Sequence, residues 1–338
     1  MRILTKDEKS ALIFLISSTL AATAISAYLG INTQRKNENI LSNKIQIIHT
    51  GGEIEEQFKT TYQSKMGKYD FYSYKPLMIS SDIVPKDWNI IASDIGNKYH
   101  SYDAFVIVCG SDTLVYTASA LSFMLENLSK PIILTNGLEI QSALKLASMT
   151  KIPEVMVASN KKLLRACRTI NKSPNDFTSP NYPFLTLENS LRFPKEQPQI
   201  KFMNPEINVV VIKVFPGIDS TSFLNLFDNK VVNGIVMEMY GMGTGPTSKN
   251  FIDSIKELSK KGVIIVAVCQ FDELSKNDVN IDIRLLEAGV LSGYDMTTAA
   301  AYAKLCFLLG NVENKKLIGQ LMEKSFRGEM TVNYPTIQ

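Results

Sequence analysis

The sequence predicts a mostly parallel α/β fold in two domains, preceded by an apolar helix. Three observations carry this expectation. Short Val/Ile-rich runs recur along the chain, several of them closing on glycine. Stretches with helical patterning lie between them. The charge-free stretch 11–31 stands apart from everything that follows it. Continuous apolar runs without alternation indicate strands covered on both faces, as in a sheet with helices above and below it.

Taken in order, the first element is ALIFLISSTLAATAISAYLGI (11–31), with no charge over 21 positions. About 20 such residues cross a bilayer as a helix. Arg2, Lys6 and Lys9 precede it, and Arg35 and Lys36 follow it. The pattern suits an uncleaved signal anchor. A cleavable signal peptide, with Ala22-Thr23-Ala24 as its small-x-small site, and a buried or amphiphilic extension stay open. Basic residues on both flanks leave the orientation open. The chain is therefore expected to be membrane-associated through residues 11–31, or secreted where the helix is removed. The polar spacer NTQRKNENILSNK (32–44) reads as a linker, so residues 1–44 form a segment of their own.

KIQIIH (44–49), DAFVIVCG (103–110), PIILTNG (131–137) and PEVMVAS (153–159) read as buried strands of a first domain, residues 45–191. TASALSFMLENLSK (117–130) reads as a helix between two of them. RFPKEQPQIKFMNPE (192–206) is proline-rich and charged, lacks an apolar period, and marks the boundary. NVVVIKVFPG (208–217), NGIVMEMYG (233–241) and GVIIVAVCQ (262–270) are strands of a second domain, residues 207–338, with SKNFIDSIKELSKKG (248–262) as a helix. Parallel sheets bind ligands beyond the carboxyl ends of their strands. That places HTGGE (49–53) and CGSDT (109–113) on one rim.

Composition excludes several function classes. Apolar residues make up 45% and charged residues 20% of the chain, as in an ordinary globular protein. With 36 basic against 33 acidic residues and no basic stripe interleaved with aromatics, no nucleic-acid partner is expected. The cysteines Cys109, Cys167, Cys269 and Cys306 are far apart, form no CxxC pair, and are accompanied by only two histidines, so no metal site is expected. Cys109 and Cys269 sit in or beside Val/Ile-rich runs and read as buried thiols of a reducing compartment, although an even count also permits disulfides. GMGTG (241–245) lacks the Lys-Ser/Thr ending of a P-loop and the GxGxxG spacing. His49 and His100 read as structural or surface residues.

CGSDTLVYTASALSFMLENLSKPIILTNG (109–137) is the most informative stretch. Read alone, Ser111 and Asp112 suit an ordinary helix N-cap. The stretch closely resembles the HGTDT-x-x-YTASALSF signature of the type I (cytosolic bacterial) L-asparaginase family. HTGGEI resembles that family's TGGTI, and YKPLMISSDIVPKDW (74–88) its PLMDSSDMTPEDW. MEMYGMGTGP (237–246), AGVLSGYDMT (288–297) and FRGEMT (326–331) resemble its later motifs in the same order. The resemblance covers residues 45 to 332 and implies larger N-terminal and smaller C-terminal α/β domains, a dimer or tetramer, and no cofactor. The implied reaction is hydrolysis of L-asparagine to L-aspartate and ammonia through an acyl-enzyme on a threonine.

The motifs carry over unevenly. Ser80 and Ser81 keep the hydroxyls that hold the substrate carboxylate, although Ile79 replaces the preceding acid. Asp112 keeps the carboxylate that meets the substrate ammonium, Ser111 replaces the second threonine, and Cys109 replaces a histidine. Tyr62 is the loose counterpart of the lid tyrosine. RTINKSPNDFTSPN (168–181) is three residues shorter than the family's proton-relay segment, so Lys172 is displaced by one position and Asn171 occupies the strict alignment. After LTNG (134–137) a longer family loop is missing. The nucleophile position is Glu53. A carboxylate attacks an amide poorly, because it would form a mixed anhydride and has no proton to pass to the leaving amine. Two readings follow: hydrolysis by rearranged chemistry with Ser111 as nucleophile, or a catalytically silent, membrane-anchored binding or scaffold protein. A role like that of transamidosome amidase subunits lacks the extra basic surface it would need.

Overall fold

The computed structural model describes residues 44–54 and 68–331, apart from 174, 181, 183, 193, 196, 226, 228–230 and 272–278. The charge-free stretch 11–31, most of the linker after it, and Tyr62 lie outside the described residues. Among those described, no helix is long and apolar enough to cross a membrane.

From Lys44 onward the chain forms one compact unit containing two main sheets. The first sheet uses β1 (Ile45–His49), β2 (Tyr69–Ser73) and β3 (Ala104–Val108). After the short β4 (Leu125–Glu126) it continues with β5 (Ile132–Thr135), β6 (Val155–Ser159) and β7 (Lys162–Arg165). The order is β2-β1-β3-β5-β6-β7, parallel throughout except for the β6–β7 pair. Every residue of β1, β3, β5 and β6 is buried, which is why these strands are apolar on both faces. Ile45 and Ile47 pack with Val106 and Ile133 on one side, while Ile48 packs with Phe105 and Ile107 on the other. His49 pairs in register with Val108, so β1 and β3 end level and release their following residues side by side. β2 (YDFYS) went unread because it is a half-exposed edge strand with no Val or Ile.

A hairpin of β8 (Ile170–Ser173) and β9 (Asp176–Thr178) follows, then β10 (Gln199–Ile200), which pairs antiparallel with β4. The second sheet has β11 (Val209–Lys213), β12 (Gly234–Met239), β13 (Ile264–Cys269) and β14 (Val290–Ser292) in sequence order, all parallel. All seven predicted strands are present.

Among the described residues the helices are α1 (Pro85–Lys98), α2 (Leu114–Met124), α3 (Ile140–Met149), α4 (Ser220–Asn225), α5 (Lys249–Lys260), α6 (Ile283–Glu287), α7 (Thr298–Asn311) and α8 (Lys315–Met322). Helix α5 starts where expected. The Ser248 side chain accepts from the Phe251 N–H, and Phe251, Ile252, Ile255 and Leu258 form one buried stripe. Helix α2 differs from the expected 117–130. It begins three residues earlier and stops at Met124, because Leu125 and Glu126 pair with β10 instead. Ten of its 11 residues are buried. Helices α2 and α7 share one core cluster, and Phe123 stacks on Phe307 with ring centroids 6.2 Å apart.

Three ion pairs among the described residues are buried, and one of them, with Glu329, holds the segment after α8. Lys304 meets Glu329 at 2.7 Å, with both side chains 0% exposed. Arg168 donates to Asp295 at 2.9 Å and to the Gly328 carbonyl at 2.7 Å. Arg165 grips Glu154 through two hydrogen bonds, at 2.9 and 3.2 Å. All four cysteines are free, and three are buried while Cys269 is partly exposed.

Candidate active site

Three turns converge at the carboxyl ends of β1, β3 and β5. After β1, the Thr50 N–H and hydroxyl both donate to the Val108 carbonyl, at 2.9 and 3.2 Å, which fastens this turn to β3. The Met78 N–H donates to the Thr50 carbonyl at 2.7 Å, bringing in the segment before Ser80. Both glycines of TGGE are then required. A Cβ on Gly51 would fall 2.3 Å from the Met78 carbonyl oxygen. Gly52 has φ +83°, and its Cβ would lie 3.1 Å from the backbone of Cys109 and Gly110. His49 braces the same turn. Its Nε2 lies 3.0 Å from the Gly52 carbonyl, which only accepts, so that nitrogen carries a proton; its Nδ1 lies 3.1 Å from Ser73 Oγ.

Glu53 leaves this turn with its side chain exposed. Its backbone is fixed from the other side, since a Cβ on Gly137 would fall 1.5 Å from the Glu53 carbonyl oxygen. Glu53 is thus the residue at which the clamped turn leaves the rim.

Ser80 opens a 3-10 turn, Ser80–Asp82, that leans on the β3 turn closely enough for a Gly110 Cβ to sit 2.5 Å from Ser80 Cβ. Thr113 holds Ser80 with three contacts. Its hydroxyl donates to the Ser80 carbonyl at 2.8 Å, its N–H donates to Ser80 Oγ at 3.3 Å, and the two hydroxyls are 3.1 Å apart. With the Thr113 proton committed to a carbonyl, the proton between the hydroxyls comes from Ser80. To hold a ligand carboxylate, Ser80 must turn that proton away from Thr113. Ser81 is exposed and donates to Asp82 at 3.2 Å.

Ser111 and Asp112 occupy a second 3-10 turn, Ser111–Thr113, at the entrance to α2. Neither that turn nor α2 has a side-chain N-cap hydrogen bond, so capping does not account for them. Asp112 is exposed and Ser111 partly so, and no partner for either side chain is found among the described residues. Two polar groups at a helix N-terminus, unclaimed by the protein, are placed to meet a ligand. Cys109 beside them is buried, and burial pushes its thiol up to about 12, so it is a neutral packing group at neutral pH.

Lys172 lies in the β8–β9 hairpin. The β8–β9 register slips between Asn171 and Ser173, which makes Lys172 the extra residue of a β-bulge. The Lys172 side chain is exposed and lines a cavity of about 350 Å³ with Ser159, Asn160, Asp176 and Tyr182; Glu53, Ser80, Ser111 and Asp112 are not among its lining residues. The hairpin does reach the rim elsewhere, where Asn136 donates to Asn175 at 3.2 Å. Tyr62 cannot be placed, lying outside the described residues.

Sequence reasoning missed Thr113, Gly137 and the bracing role of His49. Thr113 stands in plain view within CGSDT, but its partner Ser80 is 33 residues away and nothing local links them.

Comparison with known proteins gives a consistent picture. The sequence model described as "Asparaginase, N-terminal" matches residues 44–199, and that described as "Glutaminase/Asparaginase C-terminal domain" matches residues 208–322. L-asparaginase 1 of Escherichia coli K12 is 34% identical over 296 residues, covering 80% of this chain and 87% of that protein. The crystal structure of L-asparaginase I from Vibrio cholerae superposes with a TM-score of 0.78 at 33% identity, over 86% of this chain and 99% of that one. The thermostable L-asparaginase from Thermococcus kodakarensis gives 0.72 at 26% identity, over 86% and 99% of the two chains.

Proposed function

The chain belongs to the asparaginase family, and from that premise we propose that it binds an amino acid of the asparagine or aspartate class at this rim while turning over the side-chain amide at or near the background rate. The observation that carries the reading is Glu53, an exposed carboxylate on a turn clamped by Met78, Cys109 and Gly137. The clamp supports the geometry for presenting an attacking group; the group presented has neither the nucleophilicity nor the proton that amide cleavage needs. The Lys172 bulge removes support for the proton relay as well. Recognition is better provided for. Asp112 is free to meet an α-ammonium in a charge-assisted contact, and Ser80 and Ser81 lie on the same rim for the α-carboxylate.

The test is calorimetric binding of aspartate to the full chain, alongside ammonia release from asparagine. Aspartate is expected to bind, with affinity falling about tenfold or more in Asp112→Ala. Ammonia release is expected to stay at background. A second reading, with Ser111 as nucleophile, is favoured by its unpartnered hydroxyl. Turnover well above background that disappears in Ser111→Ala would establish it and refute the silent site.

Glu53→Thr supplies the missing alcohol alone. It is expected to raise ammonia release by less than about tenfold, because the proton-transfer partner is still misplaced. A gain of about 10³-fold or more from this one change would show that the relay is intact after all. The same reading takes the protein as a homodimer or homotetramer needing no cofactor, held at a membrane through residues 11–31. The charge-free stretch and the family resemblance support this.

A further inference from the structure

We infer that the cavity at the C-terminal end of α2 is a binding site for a small oxyanion, a phosphate or carboxylate group, separate from the candidate active site. The cavity has a volume of about 330 Å³, and Arg192, Lys195, Arg327, Glu126 and Asn127 are among its lining residues. Among the described lining residues, three cations therefore face one carboxylate. That carboxylate is already engaged, since Glu126 takes Arg327 at 2.6 Å and Lys201 at 3.4 Å. Among the described residues a net positive charge remains, in a cavity large enough for a small organic acid or phosphate ester.

Arg192 is the second, independent observation. Its Nη1 donates to the Leu125 carbonyl at 2.9 Å, and its Nη2 to the carbonyl and hydroxyl of Ser122 at 2.8 and 3.1 Å. Its Nε is buried with no acceptor. Among the described residues, no carboxylate lies within ion-pair distance of Arg192 or of the exposed Lys195. Buried charges are ordinarily paired and buried N–H groups ordinarily bonded. The carbonyls at the end of α2 supply only partial negative charge. Burial, followed by the neighbouring Arg327 charge, brings the Arg192 guanidinium down to about 10. An oxyanion in the cavity accepting from Lys195 would supply the counter-charge that Lys195 and Arg192 both lack among the described residues.

The site is not an extension of the rim. Ser111 and Asp112 precede the first residue of α2, whereas Arg192 and Arg327 bind carbonyls at its last turn. An 11-residue helix puts about 16 Å between the two ends.

Titration calorimetry on the full chain, with inorganic phosphate and separately with succinate at constant ionic strength, tests the assignment. Saturable binding of at least one is expected, and the tighter of the two identifies the preferred group. Lys195→Ala removes only an exposed side chain. It is expected to weaken that binding about tenfold or more, while the unfolding midpoint without ligand stays unchanged. Asp112→Ala is expected to leave the binding intact, which keeps this site distinguishable from the rim. The assignment is overturned if neither anion saturates, if Lys195→Ala binds as the parent does, or if Asp112→Ala rather than Lys195→Ala abolishes the effect.

Discussion

Glu329→Ala is expected to lower the unfolding free energy by about 3–5 kcal/mol, read as a shift in the urea midpoint at unchanged slope. Glu329 is fully buried and carries more than its ion pair. It accepts from Lys304 at 2.7 Å, from the Arg327 N–H at 2.7 Å, from the Phe326 N–H at 3.0 Å and from Ser325 Oγ at 3.3 Å. Truncation leaves the Lys304 ammonium buried against two carbonyls, with its counter-charge gone and two backbone N–H groups unpartnered. Removing both charges is different. Lys304→Met with Glu329→Leu should be appreciably more stable than Glu329→Ala, because no unpaired charge is left inside. A midpoint shift in Glu329→Ala equivalent to less than about 1 kcal/mol would mean that the pair contributes no more than a surface bridge.

The pH dependence of this pair follows in sign. Burial alone pushes the Glu329 carboxyl up; the Lys304 charge, its hydrogen bond and the Arg327 N–H outweigh it and hold the carboxyl below the usual range. A folded-state value below the unfolded one stabilises the fold above the unfolded value of 4.5. That contribution is lost as pH falls through the folded value. Stability should therefore drop on acidification below about pH 4.5, and less steeply in the double variant.

Gly137→Ala should have the largest effect on the rim. The added Cβ would stand 1.5 Å from the Glu53 carbonyl oxygen, a backbone atom that no rotamer change can move aside. Either the turn after β1 or the turn after β5 must shift by more than an ångström to restore van der Waals distance. Overpacking of this kind costs about 1–3 kcal/mol, and the displaced turn is the one that positions Glu53. Aspartate binding by the proposed site is expected to fall by about 10²-fold, consistent with the sensitivity of positioned groups to shifts near 1 Å. The control is Gly217→Ala, at an exposed glycine with nothing within 4 Å of its Cβ. It tests the strain of its φ of +95° alone, away from the rim. Unchanged aspartate affinity in Gly137→Ala would remove the clamp from the account of the site.

Legibility in the sequence followed how local each determinant is. β1, β3, β5 and β6 were readable because burial on both faces leaves only Val, Ile and their like as acceptable residues. β2 was not, because an edge strand tolerates Tyr, Asp and Ser on a half-exposed surface. Helix α2 was found, but its end was misplaced. Leu125 and Glu126 continue an acceptable helical pattern, and only pairing with Gln199 and Ile200, more than 70 residues later, draws them into a strand. At the rim, the presence of Glu53, Ser111 and Asp112 on one edge was expected from the strand ends before them, whereas Ser80 and Ser81 were implied only by the family resemblance. The β-bulge at Lys172 was not visible in the sequence.

The sequence by itself determined the α/β class, the strands of both sheets that are buried on two faces, the family, and the carboxylate at residue 53. Each of these depends on residue identity or on periodicity along a few neighbouring positions. Only the tertiary structure decided that Thr113 holds the Ser80 hydroxyl, that Gly137 fixes the Glu53 carbonyl, that Lys172 lines a cavity with Asp176 and Tyr182, and that Arg192 Nε is buried with no acceptor among the described residues. These are contacts between segments tens of residues apart. Their geometry is set by how the sheets and α2 pack, and no local pattern encodes it.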